Sequence, residues 1–578
     1  MGGCHITIFA SLWTPCAGVP QGVAAQPTRE IRNTMSAVKR LAALSCVGLI
    51  ATTTGCGSSK QGSSVAGAPN VVIKVGSANA YSTLDPAQAY DIGAWDLYYN
   101  IYQGLMTYPP GSNTPAEDAA QKCGYTDTTD ETYKCVLRPN MKFSNGDPLN
   151  AAAVKFSIDR VIAIADAQGP SPILSSTIKS VETQGDSTVV FHLKVPDATM
   201  PARLASGVAS IIDPKTLQAN KEAATDDTNV VGSGRYMIDS VSFTGSGANK
   251  QPSEVKLSLN PNYQGAASPP RNSGIDLKYY ADQTGTKKAL DSQDVDAVIA
   301  DLSADDVVAM QQNQQLGTGL QVDSGPGGGI HMLALNTVAG PFTNPALRKA
   351  VAELVDRNAI VSQAFNHTVN PAYTILPAGI TDATNSFANT FGRQAWTATK
   401  VKEQLKKAGV TLPVTITYSY YSRGDQAITK EAQLLQQELE QDGLFKVSLK
   451  DYMTHGKLAA ALLNVKKPIF DMYSLTWYSD YLDPDDYVNP LIGKRNIVFN
   501  GYAVSQSLIA KALGKSPRLQ AQGDYTTIQN DVADYVPLIP LWESSQFAAT
   551  QADVTGVPLT MDSSGNPRWW MIGKNGTS

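Results

Sequence analysis

Residues Tyr133 to Val161 read YKCVLRPNMKFSNGDPLNAAAVKFSIDRV, and three pieces follow one another in this stretch. Tyr133–Arg138 reads as a strand. Ser144-Asn145-Gly146-Asp147 reads as a turn, because Asn and Gly tolerate the backbone conformations that turns require. Asn150 is placed to cap a helix, its side chain accepting from an orphan N–H of the first turn. Val154, Ile158, Val161 and Ile162 then recur at helical spacing and mark one apolar face. By local physics alone, this strand–turn–helix describes an ordinary scaffold.

The totals bound the rest. A chain of 578 residues exceeds one core, so two to four domains are expected. Hydrophobic content of 42% and charged content of 17% are globular values. The net charge of −5 is spread without long runs, which argues against a nucleic-acid partner, since that would need a basic patch. No run of apolar residues is long enough to span a bilayer.

The first residues read as processing signals. Lys39-Arg40 precedes the apolar run Leu41–Ala51, too short to span and of the length of a secretory h-region. The run leads to Thr53-Thr54-Gly55-Cys56, which looks like a lipobox with Thr53 where Leu is usual. Residues 35–56 are therefore expected to be a lipoprotein signal starting at Met35, with Cys56 acylated. Residues 1–34 read as a leader assigned in error, and the Ser/Gly-rich 57–69 as a flexible tether. Cys4, Cys16, Cys46 and Cys56 fall in these segments. Cys123 and Cys135 remain, an even pair that suggests a disulfide in an exported protein. A metal site lacks partners at ligand spacing: His192, His331, His367 and His455 are scattered.

Further motifs stand in order along the chain. Val71–Val75 is a strand candidate and is followed by Leu84-Asp85-Pro86. Tyr102-Gln103-Gly104-Leu105 comes next, then the alternating Ser187–Val195. Val231-Gly232-Ser233-Gly234-Arg235-Tyr236 and Asn260-Pro261-Asn262-Tyr263 follow. Asn344 caps a helix with Pro345 at its first position, and Leu347, Val351, Leu354 and Val355 line one face. Val414, Ile416 and Tyr418 alternate. Asp425 caps a helix with Ile428, Ala432, Leu435 and Leu439 on one face, and Phe445, Val447 and Leu449 alternate again, which predicts a βαβ unit with a parallel pair. Thr476-Trp477-Tyr478-Ser479-Asp480-Tyr481-Leu482-Asp483-Pro484 and Tyr535–Leu541 close the series.

In that order, these segments and the opening stretch resemble the extracellular solute-binding proteins, family 5, of bacterial ABC importers, over roughly residues 70–545. Two departures are visible: Ala151, Ala152 and Ala153 stand where the family has acidic residues, and Arg235 stands where it has Pro. The resemblance implies an α/β fold with two lobes, the large class II periplasmic-binding type with an extra domain, built from mixed sheets flanked by helices. It implies that segments 70–100, 230–330 and 540–578 form domain I, 101–229 the extra domain II and 331–539 the second lobe. Tyr535–Leu541 would be the strand by which the chain leaves that lobe. It implies capture of a solute, an oligopeptide above all, and delivery to ABC permease subunits by a monomer held to the outer membrane face through its lipid. Asp480 would pair with the ligand's α-ammonium, with Trp477 and Tyr478 as pocket walls. Arg423, by its loop position, is a candidate for the ligand carboxylate. Sugars and nickel complexes are the alternative solutes, and no cofactor is implied.

Catalytic patterns do not assemble. Gly514-Lys515-Ser516 has Ile509 where a P-loop needs Gly. Gly325-Pro326-Gly327-Gly328-Gly329 has Ile330 at the last glycine of a dinucleotide fingerprint, and no Gly-x-Ser-x-Gly elbow occurs. A carboxylate pair remains open, so an exported hydrolase on a similar scaffold stands beside the binder.

Overall fold

The computed structural model describes residues 70–575 apart from 167–168, 316, 318, 423, 455–456, 459–460, 462–469, 495, 497, 499–500 and 503–504. The leader, signal, tether and Cys56 therefore lie outside the described residues, as does Arg423.

The opening stretch folds as its residues dictate. Thr132–Leu137 is a strand. Gly146 turns the chain with a φ of 91°, and the Gly146 N–H donates to the Phe143 carbonyl. The Asn150 side chain accepts from the Ala153 N–H and starts the helix Ala151–Ile164, which buries Val154, Ile158 and Val161. The helix lies on the strand Ile178–Gln184, part of an antiparallel four-stranded sheet ordered Ala120–Tyr125, Thr132–Leu137, Thr188–Leu193, Ile178–Gln184. Cys123 and Cys135 face each other across its first two strands and are joined by a disulfide.

Among the described residues, eleven strands join in one larger sheet. At one end Val72–Ser77 runs parallel to both Gly274–Tyr279 and Ala297–Ile299. Gln251–Leu259 and Tyr236–Thr244 continue outward. Ile73, Val75, Leu84, Leu97, Tyr98, Tyr236 and Ile275 form the core beneath them. At the other end Val414–Tyr420 runs parallel to Phe445–Asp451 and to the start of Met472–Tyr478. The helix Gln426–Glu440 lies between the first two in sequence, capped by Asp425. Met332, Leu333, Val351, Tyr418 and Leu435 belong to this second core.

Two long strands, Gln321–Leu335 and Leu538–Thr550, run through both ends. Their pairing is regular from Gln321↔Thr550 to Pro326↔Ser545, breaks, and resumes at Ile330↔Glu543. The glycine run sits at this break. A Cβ on Gly329 would collide with the Tyr478 ring and the Ser544 hydroxyl, so this position requires glycine. Two lobes of mixed α/β build, linked by long strands, are the result.

One sequence reading is corrected. Tyr535 does not begin a strand; it ends the helix Gln522–Tyr535. Val536 takes a left-handed φ of 56° while its N–H closes the helix on the Val532 carbonyl, and the strand starts at Leu538.

Candidate functional site

The strand Met472–Tyr478 delivers the segment Ser479–Pro484 to the junction of the lobes. The helix Asp485–Ile492 follows, with Asp485 and Asp486 in its first turn. This turn is held from several sides. The Asp486 carboxylate accepts the Asp480 N–H at 2.6 Å. The Trp477 indole N–H donates to the Asp486 carbonyl at 2.8 Å, and the Leu482 N–H donates to the Tyr108 hydroxyl. Asp483 accepts the Asp485 N–H and two bonds from Arg518, at 2.8 and 2.6 Å. It therefore both receives the first N–H of the helix and forms an ion pair.

Charge pairing around the turn is uneven. Arg518 pairs with Asp483. Arg203, buried, pairs with Asp197 and Asp485 and lies over the Tyr481 ring at 4.6 Å. Asp480 and Asp486 are left with no cation at ion-pair distance among the described residues. Burial pushes both carboxyls up. Asp480 adds repulsion at Asp486, while the Tyr90 hydroxyl and Arg203 pull Asp480 back down.

The side-chain partner of Asp480 comes from the other lobe. Tyr90 precedes the helix Ile92–Ile101, whose Leu97 and Tyr98 belong to the first core. Its hydroxyl lies 2.8 Å from both Asp480 oxygens. The Tyr90 ring lies against Trp95, centroids 6.0 Å apart, and Trp95 continues to Tyr99. On the opposite side Tyr478 is half exposed. The junction thus presents a carboxylate among aromatic rings, an arrangement suited to a cation.

Of the residues read from sequence, the structure brings Asp480, Trp477 and Tyr478 to one junction. Tyr90, Asp486 and Arg203 had no local signal: Tyr90 and Asp480 are 390 positions apart. His331 is buried between Thr476 and Glu431 and stacked on Trp542. Among the described residues no group of three potential ligands could hold a metal ion, and no helix is long and apolar enough to cross a membrane.

Two lobes joined by paired long strands, with a cation-poor carboxylate turn between them, define a solute-binding protein of the two-lobed periplasmic type. Residues 114–498 match the model of the bacterial extracellular solute-binding proteins, family 5, and the chain belongs to that family. Over 513 residues it is 28% identical to the probable D,D-dipeptide-binding periplasmic protein DdpA of Escherichia coli (strain K12), spanning 85% of this chain and 92% of that one. It is 25% identical over 508 residues to the glutathione-binding protein GsiB of Salmonella typhi, spanning 86% and 93%. Among solved structures it resembles the ABC transporter-associated periplasmic binding protein DppA from Helicobacter pylori in complex with peptide STSA. The TM-score there is 0.70 at 19% identity, spanning 88% of this chain and 98% of that one, a likeness of fold.

Proposed function

We propose that this protein captures a short peptide by its free ammonium group between the two lobes and hands it to an ABC permease. The observation that carries this reading is the unbalanced charge of the turn: Asp480, half-buried and without a cation among the described residues, faces the opposite lobe. A desolvated ammonium is costly unless a carboxylate meets it, and the same holds for the carboxylate. Binding of peptides and of glutathione by relatives supports the class of solute. Trp477 and Tyr478 wall the site, and Arg423 is a candidate for the far carboxylate.

A solute touching both lobes gains its full contacts only when they are closed, so it shifts the population toward the closed form. The break at Pro326–Ile330, with Glu543 and Ser544 opposite, serves as the hinge. Segments 70–100, 230–330 and 540–578 move as one body. Segment 331–539 forms the other lobe, and 101–229 is the extra domain. The protein acts as a monomer tethered through acylated Cys56.

Calorimetry with a panel of di- to tetrapeptides, each free and N-acetylated, tests the reading. Free peptides should bind and acetylated ones should bind poorly, and Asp480→Asn should cost about 2–5 kcal/mol, thirty-fold or more in affinity. Equal binding of both forms rejects it. Mass spectrometry of the same mixtures reveals cleavage if the protein is a hydrolase instead.

A further inference from the structure

We infer that Tyr90 is the second half of the ammonium site, a specificity-determining residue whose hydroxyl completes Asp480 from the opposite lobe. This rests on the reading of Asp480 as ammonium acceptor and extends it to the first lobe. The hydroxyl lies 2.8 Å from each Asp480 oxygen, so its single proton is shared between them. A carboxylate offers about four lone-pair directions, so one O–H leaves room for an ammonium. The Tyr90 ring is 46% exposed, and its position is set by Trp95, so space remains at its side. A hydroxyl also has lone pairs and accepts from an ammonium once one arrives.

The surroundings give the hydroxyl a specific task. Every other element at Asp480 bears on its charge. Burial favours the protonated form, Arg203 favours the ionised form from the helix Met200–Arg203, and Asp486 and the Tyr99 and Tyr487 hydroxyls lie in the same field. Arg203 is already engaged by Asp197 and Asp485. Among the described residues Tyr90 is the side-chain donor that reaches the carboxylate directly, and it belongs to the opposite lobe. The hydroxyl therefore favours the ionised carboxylate before a solute arrives, which favours a cationic group on the solute.

The test compares wild type, Tyr90→Phe and Asp480→Asn. The 13C carboxyl resonance lost in Asp480→Asn is followed against pH in the unliganded protein. In Tyr90→Phe it should titrate at higher pH than in wild type, and an unchanged midpoint overturns the inference. In parallel, Ala-Ala and N-acetyl-Ala-Ala are titrated at pH 5.5, 6.5 and 7.5. Tyr90→Phe should weaken Ala-Ala about tenfold at pH 7.5, the scale of one hydrogen bond to a charged group, and by more at pH 5.5. A ratio constant with pH means that a closing contact alone was lost, and tighter binding means that the hydroxyl competes with the solute; either overturns the inference. Failure of Ala-Ala to bind wild type, or equal binding of its acetyl form, rejects the peptide reading instead, and the carboxyl titration then decides the role of Tyr90 by itself.

Discussion

Arg203 and Asp485 meet at 3.2 Å, and the contact ties the helix Met200–Arg203 to the turn that carries Asp480. Arg203 also donates to the Thr199 hydroxyl and the Ile173 carbonyl. The Ala198 N–H reaches the Leu513 carbonyl in the same region. Breaking a buried charge network by removing one member leaves the others uncompensated, which typically costs about 3–5 kcal/mol. Arg203→Met should show that loss in urea unfolding, together with weaker peptide binding, because Asp485 starts the helix whose first turn holds Asp480. Unchanged unfolding would mean that the network is dispensable.

Glu438 gives a pH dependence to the second lobe. Burial pushes its carboxyl up to about 8 and Asp356 adds repulsion, while the Asp356 N–H and Arg357 oppose the shift. The folded protein therefore retains a proton that the unfolded chain releases at about 4.5, so stability falls as pH rises between these values. Glu438→Gln keeps an acceptor for Asp356 and removes the titration. Its melting temperature should match wild type near pH 4.5 and exceed it at pH 8. Parallel curves across that range would exclude Glu438 as the source.

The Cys123–Cys135 bridge closes a separation of 12 residues. A loop of that size corresponds to about 3 kcal/mol in the chain-entropy model. Reduction, or Cys123→Ser with Cys135→Ser, should lower the urea midpoint accordingly. Equal midpoints with and without reductant would show that the sheet holds without the bridge.

Cys56 is testable apart from the fold. In cells, Cys56→Ser should move the protein from the membrane fraction to the medium or periplasm. Retention of the Ser variant in membranes would reject acylation at this residue.

Elements whose cause is local were legible in the sequence. Asn150, Asn344 and Asp425 each place a side-chain oxygen on an N–H two or three residues on, a pattern that needs no tertiary information. The helix faces of Val154–Val161 and Leu347–Val355 were legible for the same reason. Asp480 was singled out through the order of motifs, since nothing local distinguishes it from Asp483 or Asp486. What separates them is the distant group each one meets: Asp483 pairs with Arg518, while Asp480 meets the Tyr90 hydroxyl and no cation among the described residues. Tyr90 is the extreme case. Tyr535 was misread because Val536 adopts a left-handed backbone that Gly usually signals, and the apolar run continues across it without a break.

The strand Leu538–Thr550 lies between Gln321–Leu335 and Ala297–Ile299, so the middle of the large sheet is filled by residues made long after both of its neighbours. A chain emerging from its N-terminal side first holds Ala297–Ile299 and Gln321–Leu335 with a missing partner until residue 550 is out. Neither lobe can close its core before then, and pairings across such sequence distances form slowly. During that interval the protein is a set of unpaired strand edges, which makes it dependent on whatever keeps nascent exported chains from aggregating. Truncation before Leu538 should therefore abolish folding of both lobes at once rather than trim one of them.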